Sequence, residues 1–479
     1  MQWLERTAMA QKPNPDPLAE VSLAEYGQRL RQGDVNIERT VASYLARIEQ
    51  LDPKLGAYEH VSAVQALDDA RALDHLLTSG VDLGPLMGVP VAVKDLFAVD
   101  GMPTTAGSNL DVADLIGAEG SFVKRIKRIG CIILGKTKTV EFALGTVGTN
   151  SVRGTPWNPA DAQVHRIPGG SSSGSAVAVA AGLCAFAIGT DTGGSARLPA
   201  ALCGVFGLKT TFGLWPLDGV FPLSPSLDSI GLFTRTAEDA AVAFATLTSR
   251  PLVAPFAEKG LRLGKPKDYF FRNLEPAVER CVATAEEALA RAGAVIVDID
   301  VPEAVERESF FPVVLPAELL AVLGRERFEA GRLRMDPVVA ARVARALDMP
   351  VERYTRAMRR QRELIGIAKH HMDGLDGWIT PTATLQPPPL AEVASFDSNL
   401  ALAFAITQNT QPVNLFQQCA ISLPIHRLGA PLPVGLQLVG APFSEDKILS
   451  VALVVERLVG VPVKPDLSAF VQVEATQRS

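Results

Sequence analysis

Two Gly-Gly-Ser clusters carry the hydroxyl groups that the sequence places best for chemistry. Gly169-Gly170-Ser171 opens the first cluster and Gly193-Gly194-Ser195 closes the second, and the two serines are 24 positions apart. One predicted helix and one predicted strand separate them. Because serine is a weak nucleophile without an adjacent base, this spacing predicts a reactive hydroxyl that depends on a partner for its activation.

Lys94 is the candidate base. It follows the nearly continuous apolar run from Val89 to Val93, which is typical of a buried strand. Burial disfavours a charged ammonium and lowers the pKa of a lysine, so a neutral amine could accept a proton from a serine. Taken alone, Lys94 could equally be an ordinary lysine at a strand end, paired with Asp95 or extended into solvent.

Three other segments match catalytic patterns but lack the context that each pattern needs. Residues 130–137 fit GxxxxGK[ST], but the intervening Cys-Ile-Ile-Leu predicts a buried strand instead of a phosphate loop. Residues 121–124 fit SxxK without its companion motifs. A GxSxG centred on Ser172 needs a preceding apolar strand and a downstream histidine. Residues 163–168 make a poor strand, so an α/β-hydrolase triad is the weaker alternative among hydrolases.

Composition limits the classes of protein to which the chain can belong. The chain has 479 residues, of which 47% are hydrophobic and 20% charged, with a net charge of −6. This balance predicts a globular protein and no nucleic-acid surface. The five cysteines are scattered and the six histidines form no HExxH or HxxxH pair, which argues against disulfides and metal catalysis. The 14-residue apolar stretch 176–189 is too short to span a membrane, and residues 1–20 contain no apolar run.

Strands and helices alternate along the chain, which predicts an α/β fold with a largely covered sheet. Buried strands are expected at about 89–96, 131–134, 184–188, 295–299 and 436–439. A charged helical stretch is expected at about 317–371. We expect an N-terminal tail at 1–20, one large domain at 21–465 and a C-terminal tail at 466–479, with 250–380 as a peripheral region that shapes the substrate site.

The ordered set of motifs resembles the amidase signature family of serine hydrolases. The matching segments are distributed over about residues 22–460, and they are 84–95, 135–143, 154–159, 169–176, 189–200, 207–209 and 432–440. The resemblance implies a single large domain built on a twisted mixed β-sheet covered by helices. It also implies a Ser–cis-Ser–Lys triad, with Ser195 as nucleophile, Ser171 as bridging serine after a cis peptide bond, and Lys94 as base.

The resemblance assigns roles to the residues around this triad as well. An oxyanion hole is expected from the backbone N–H groups of Thr192, Gly193, Gly194 and Ser195. Supporting roles are expected for Gly170, Ser172, Asp191 and Arg197. For Arg197, a structural role and the binding of a substrate carboxylate both remain open.

The implied activity is that of a stand-alone amidase that hydrolyses a carboxamide or related acyl–nitrogen bond, with esters as side substrates. Aryl amides, short acylamides and carbamates (urethanes) all remain open. The alternative is the amidase component of a glutamyl/aspartyl-tRNA amidotransferase, which generates ammonia from glutamine. The expected partner is a small-molecule amide or carbamate, with no cofactor, metal, nucleic acid or membrane span. A cytoplasmic location is expected, and a homodimer is one open state of assembly.

Overall fold

Eleven strands form one mixed sheet in the computed structural model, which describes residues 12–461 and 463–471. In chain order they are β1 (Tyr58–Val61), β2 (Pro90–Lys94), β3 (Ile132–Thr137), β4 (Phe186–Asp191), β5 (Phe206–Lys209), β6 (Ser229–Thr234), β7 (Arg262–Pro266), β8 (Val295–Ile299), β9 (Gly377–Pro381), β10 (Cys419–Pro424) and β11 (Gly435–Gly440). Their order across the sheet is β1-β3-β2-β4-β6-β5-β10-β11-β9-β7-β8. The α/β fold with one mixed sheet is therefore confirmed.

Sixteen α-helices cover this sheet in the described part of the chain. They are α1 (Leu23–Gln32), α2 (Ile37–Leu55), α3 (Ala63–Thr78), α4 (Ala113–Ile116), α5 (Ser121–Arg128), α6 (Ser173–Ala180), α7 (Arg197–Cys203), α8 (Ala237–Thr248), α9 (Pro276–Arg291), α10 (Arg307–Leu323), α11 (Arg325–Gly331), α12 (Pro337–Ala344), α13 (Val351–Ala368), α14 (Phe396–Ala405), α15 (Gln411–Leu415) and α16 (Glu445–Val459). The predicted helical stretch at 317–371 is thus broken into several helices. Gly324, Pro337 and Pro350 lie at the breaks, where glycine or proline favours a helix end or a new helix start.

The centre of the sheet brings two strand ends together. β2 runs parallel to both β3 and β4, and Val93 of β2 is in register with Ile188 of β4. Lys94 is the last residue of β2 and Asp191 is the last residue of β4, so both lie at the carboxyl ends of these two parallel strands. All residues of these three strands are buried, in agreement with the apolar residues that begin each strand.

The segment that resembles a phosphate loop is a strand, as its apolar residues predict. Lys136 lies on β3 with its side chain wholly buried, and its Nζ is 2.9 Å from Oδ1 of Asp95. It also donates to Oγ1 of Thr104 at 2.8 Å. This lysine is therefore held inside the protein and is not available to a phosphate group.

The predicted domain boundaries stay predictions. Of the two predicted tails, residues 1–11 and 472–479 lie outside the described residues. Within the described parts, Leu18 and Phe470 are buried, and Phe470 packs edge-on against Trp157. The 250–380 region supplies β7 and β8 at one end of the sheet, together with α9 to α13.

Candidate active site

Lys94 is at the centre of the site and is completely buried. Its Nζ donates to Oγ of Ser171 at 2.8 Å and to Oγ1 of Thr190 at 2.8 Å. Burial lowers the pKa of Lys94 to about 7, although the negative charges of Asp228 and Asp191 act in the opposite direction. A substantial fraction of this lysine is therefore the neutral amine near pH 7, and it is in contact with a serine hydroxyl.

Ser171 is fixed through its backbone. The Gly170–Ser171 peptide bond is cis, as the resemblance implies. The carbonyl oxygen of Ser171 accepts hydrogen bonds from the N–H of Val140 at 3.1 Å and from Oγ1 of Thr139 at 3.0 Å. A Cβ atom on Gly170 would lie 2.9 Å from the backbone of Gly148. Glycine at 170 therefore permits a close approach of two chain segments beside the bridging serine.

Ser195 lies next to the Ser171 loop and is almost completely buried. Its carbonyl oxygen accepts a hydrogen bond of 3.3 Å from the N–H of Ser172, which joins the two Gly-Gly-Ser clusters. Within the described residues, no hydrogen bond joins the hydroxyls of Ser171 and Ser195. The structure therefore brings Lys94, Ser171 and Ser195 together, but the contact between the two serine hydroxyls is not formed. Catalytic hydrogen bonds are often long before substrate binds and shorten afterwards.

The structure distinguishes Gly194 from the other donors of the expected oxyanion hole. The N–H of Gly194 donates to Oδ1 of Asp191 at 2.8 Å, so it is already engaged in this structure. In the part of the chain that the structure describes, the N–H groups of Thr192, Gly193 and Ser195 donate to no protein acceptor. Three backbone donors of the predicted four thus remain for a developing negative charge.

Gly194 has a different function in this turn. Its φ is +126°, and a Cβ atom there would lie 2.3 Å from Oγ1 of Thr410. Only glycine adopts such a backbone conformation readily. The residue allows the chain to turn sharply between the end of β4 and Ser195 and to pack directly against the segment before α15.

Asp191 and Arg197 form a buried ion pair behind the nucleophile turn, with 2.9 Å between Nη2 and Oδ1. Burial alone would raise the pKa of Asp191, but the charge and hydrogen bonds of Arg197 outweigh it, and the pKa lies well below its usual value. The remaining N–H groups of Arg197 reach acceptors on Thr410, Asn414 and Gln437.

All five N–H groups of Arg197 are therefore engaged within the protein: Nε and one Nη2 hydrogen on Asp191, the other on Asn414, and the two of Nη1 on Thr410 and Gln437. This saturation favours the structural role over the binding of a substrate carboxylate. Arginine presents its donors in a fixed planar fork, and here each donor holds a part of the chain close to Ser195.

Replacing Arg197 with leucine is expected to destabilise the fold by about 3–5 kcal/mol, because a buried carboxylate loses its partner. Urea unfolding monitored by fluorescence measures this change. Arg71→Leu is the matched control, since it removes one side of the exposed pair with Glu38 and should leave the unfolding midpoint unchanged. Equal midpoints for both variants would contradict a structural role of the buried pair.

Ser172 does not have the surroundings of a nucleophile elbow. Its Oγ donates to the carbonyl of Thr190 at 3.2 Å and accepts from the N–H of the same residue at 3.3 Å. It also follows a loop instead of a strand. These contacts fit the predicted supporting role of Ser172 and argue against the α/β-hydrolase alternative.

Two polar residues of this site were missed in the sequence. Thr190 provides the second hydrogen-bond acceptor for Lys94, and Asp228 accepts a hydrogen bond of 2.6 Å from Oγ1 of Thr192. Burial raises the pKa of Asp228 to about 6. Both residues border a cavity of about 190 Å³ whose other walls are apolar and include Leu96, Leu217, Val220 and Phe221. In the sequence, the only sign of a role for Asp228 is that it is an acidic residue in a segment with few charges.

These features define a class of protein: an α/β enzyme in which a buried lysine of lowered pKa contacts a serine hydroxyl beside a turn of free backbone donors. Among the described residues, no group of three or more His, Cys, Asp or Glu side chains could hold a metal ion. No helix in the described ranges is long and apolar enough to cross a membrane.

The comparisons with known proteins agree with this class. The model of the family described as Amidase matches residues 39–449. The chain is 39% identical to 2-amino-5-chloromuconic acid deaminase of Comamonas testosteroni, over 92% of this chain and 97% of that protein. It is 33% identical to a glutamyl-tRNA(Gln) amidotransferase subunit of Geobacter metallireducens, over 91% of this chain and 96% of that protein.

Solved structures give the same result. A crystal structure described as an amidase superposes with a TM-score of 0.84 at 29% identity, over 92% of this chain and all of that one. The native peptide amidase of Stenotrophomonas maltophilia superposes with a TM-score of 0.78 at 28% identity, over 94% and 99%. The chain belongs to the amidase family, and it is a hydrolase that acts on carbon–nitrogen bonds.

Proposed function

We propose that this amidase acts without partner proteins and hydrolyses its substrate through an acyl-enzyme on Ser195. The substrate is a carboxamide or related acyl–nitrogen compound: an aryl amide, a short acylamide or a carbamate. The observation that carries the proposal is the 2.8 Å contact between Nζ of Lys94 and Oγ of Ser171, at a lysine whose pKa burial lowers to about 7.

The first half of the proposed reaction moves two protons, one from Ser195 to Ser171 and one from Ser171 to Lys94. Neutral Lys94 takes the proton of the Ser171 hydroxyl, while Ser171 takes the proton of Ser195. The Ser195 oxygen then forms a bond to the carbonyl carbon of the substrate. The oxygen that becomes negative is stabilised by the N–H groups of Thr192, Gly193 and Ser195.

The second half returns the proton and releases the products. Ser171 passes a proton to the leaving nitrogen and recovers one from Lys94, so that the carbon–nitrogen bond breaks with a neutral amine or ammonia as leaving group. Water then attacks the acyl carbon, gives its proton to the same relay, and the acid leaves as Ser195 regains its hydrogen. Asp228 and Thr190 support this relay by holding Thr192 and Lys94 in place.

The test is a panel of amides given to the purified chain alone. We expect release of ammonia or amine from anilides, short acylamides or carbamates, measured by a coupled ammonia assay or by absorbance. The deaminase relative, whose name gives an organic acid as what it acts on, makes small amides with acid groups a sensible part of the panel. Turnover that requires added partner proteins would contradict the proposal.

The second candidate function is ammonia supply to a tRNA-dependent amidotransferase. The identity of 33% to the glutamyl-tRNA(Gln) amidotransferase relative supports it. The two functions share the same proposed triad and differ in the need for partners. Glutamine-dependent amidation of charged tRNA with partner proteins, and no hydrolysis of simple amides by the chain alone, would favour this candidate.

We also propose a cytoplasmic location and a small-molecule substrate. The five cysteines are all free and buried, which supports a reducing compartment. A homodimer stays a prediction that light scattering of the purified chain would test.

A further inference from the structure

One carboxylate interrupts the apolar sequence of α10. Residues 310–323 are all apolar except Glu318, and Glu318 is buried together with them. Its Oε2 accepts from Oγ of Ser224 at 2.5 Å and from the N–H of Ser226 at 3.2 Å, and its Oε1 accepts from the hydroxyl of Tyr354 at 2.7 Å. A buried carboxylate is costly unless hydrogen bonds satisfy it, so these three contacts fix where Glu318 can lie.

The loop 223–228 connects Glu318 with a second buried carboxylate, that of Asp228. The N–H groups of Leu223 and Ser224 both donate to Oδ2 of Asp228 at 3.0 Å. Ser224 therefore uses its N–H for Asp228 and its hydroxyl for Glu318. Its carbonyl oxygen accepts from the N–H of Asp228 at 2.9 Å, so the loop is a closed turn that two carboxylates hold from two sides.

Asp228 in turn holds the nucleophile turn. Its Oδ1 accepts a hydrogen bond of 2.6 Å from Oγ1 of Thr192. Thr192 follows directly after Asp191, the last residue of β4, and its backbone N–H is one of the free donors beside Ser195. Because Oγ1 is attached to Cβ, a fixed position of this atom limits the rotation of the whole residue and so the direction of its N–H.

The other end of this series of contacts lies on α13. Tyr354 is partly buried there, and burial, followed by its hydrogen bond to Glu318, raises its pKa to about 12. The phenol therefore stays protonated at neutral pH and donates to Glu318. A continuous path of hydrogen bonds and one loop thus leads from α13 through α10 to the oxyanion donor Thr192.

Each carboxylate oxygen along this path has a donor. Both oxygens of Asp228 and both of Glu318 accept hydrogen bonds from the protein. A buried polar network whose members are all satisfied holds a single geometry, and the loss of one member leaves a buried group without a partner. Because a displacement of about 1 Å can cost 10²-fold in rate, such a network is suited to hold an oxyanion donor in place.

Taking the N–H of Thr192 as an oxyanion donor of the proposed function, we propose that Glu318 and Tyr354 are positioning residues for this donor. They act through the loop 223–228 and touch neither the substrate nor the reacting atoms. The peripheral helices α10 and α13 therefore contribute to the rate of the reaction as well as covering the sheet.

The first test replaces each residue by a variant of nearly the same shape. In Glu318→Gln we expect kcat for the best amide of the panel to fall about tenfold, a part of the 10²- to 10³-fold loss that follows removal of a whole oxyanion donor. Tyr354→Phe should lower kcat about threefold. KM should change less than about twofold, because the donor acts on charge that develops only in the transition state.

A double-mutant cycle with Thr192 tests the path itself. Thr192→Val removes the hydroxyl that contacts Asp228 and keeps the backbone N–H. In this background Glu318→Gln is expected to lower kcat less than about twofold further, whereas in Thr192→Ser, which keeps a hydroxyl, its tenfold effect should return. Independent effects of Glu318→Gln and Thr192→Val on kcat would overturn the proposal, since interacting residues give non-additive energies.

Two control variants separate positioning from stability. Glu456→Gln changes a glutamate of α16 that accepts from the N–H of Ala237 at 2.7 Å, and Tyr26→Phe removes a buried hydroxyl that donates to the carbonyl of Gly88 at 3.2 Å. Both should leave kcat unchanged well below the unfolding temperature. A loss of activity in Glu318→Gln that only follows the unfolded fraction would contradict a positioning role, and Tyr354→Phe is informative if Glu318→Gln does not fold.

The rate of labelling by a fluorophosphonate separates this inference from the proposed function. In that reaction the Ser195 oxygen bonds to phosphorus and fluoride leaves, so the oxyanion donors act without a choice of amide. Slower labelling of Ser195 in Glu318→Gln and Tyr354→Phe is expected. Labelling and kcat equal to those of the wild-type enzyme would overturn the positioning role alone, whereas a wild-type enzyme without any label on Ser195 would overturn the proposed function and this inference with it.

Discussion

Replacing Ser195 with alanine is expected to lower kcat on the order of 10⁶-fold, the loss typical of a serine hydrolase without its nucleophile. The Ser195 oxygen is the atom that forms the acyl-enzyme in the proposed reaction, and no other hydroxyl takes its place. Ser171 is held by the Lys94 contact and Ser172 by the backbone of Thr190. The measurement is the steady-state rate, together with mass spectrometry of the fluorophosphonate-treated enzyme.

Ser173→Ala is the matched control for this prediction. Ser173 is buried at the start of α6, two residues after Ser171, and its Oγ makes only a 3.5 Å contact with the carbonyl of Lys138. This variant should keep the covalent label and nearly all activity. If Ser195→Ala retained turnover, or if the label were found on Ser172, the assignment of the nucleophile would be wrong.

Replacing Lys94 with methionine is expected to lower kcat by about 10²- to 10⁴-fold, the usual contribution of a general base. Methionine fills much of the lysine volume, so it removes the amine without opening a large cavity. In the wild-type enzyme only the neutral amine accepts a proton, and the pKa of Lys94 is about 7. Activity should therefore rise with pH through about 7 and level off above it, falling about tenfold per pH unit below.

The pH profile distinguishes Lys94 from other buried groups. The step near pH 7 should disappear in Lys94→Met. It should persist in Lys209→Met, which removes another wholly buried lysine whose Nζ donates to the carbonyls of Thr210 and Gln418. Asp228→Asn should also keep a step but move it to lower pH, because the negative charge of Asp228 raises the pKa of Lys94. An unchanged profile in Lys94→Met would exclude Lys94 as the base.

The parts of the site that could be predicted are those encoded in consecutive residues. Lys94 follows an apolar run, and Ser171 and Ser195 lie in glycine-rich segments of low charge. Strands and helices near them follow from continuous apolar sequence and from capping residues. The roles of these three residues came from the resemblance to a family, and the contact between Lys94 and Ser171 is a geometric fact that the sequence alone could not supply.

The parts that could not be predicted depend on contacts between distant segments. The hydrogen bond from the Gly194 N–H to Asp191 depends on the direction of the Asp191 side chain, which the sequence does not specify. Thr190 is one of many threonines until β4 brings it to Lys94. The region around α10 to α15 matches no diagnostic motif, and Phe311 and Gln411 become neighbours of Gly193 only in the folded protein.

The hydrogen bonds of Arg197 also have a consequence for how the enzyme becomes active during its synthesis. This guanidinium, two residues after Ser195, reaches acceptors at positions 410, 414 and 437, which the ribosome adds more than 200 residues later. A nascent chain that has already exposed both serines and the lysine therefore lacks the groups that hold the nucleophile turn. We therefore expect amide hydrolysis to begin only after β11 has been synthesised, and fragments truncated before β11 to be inert.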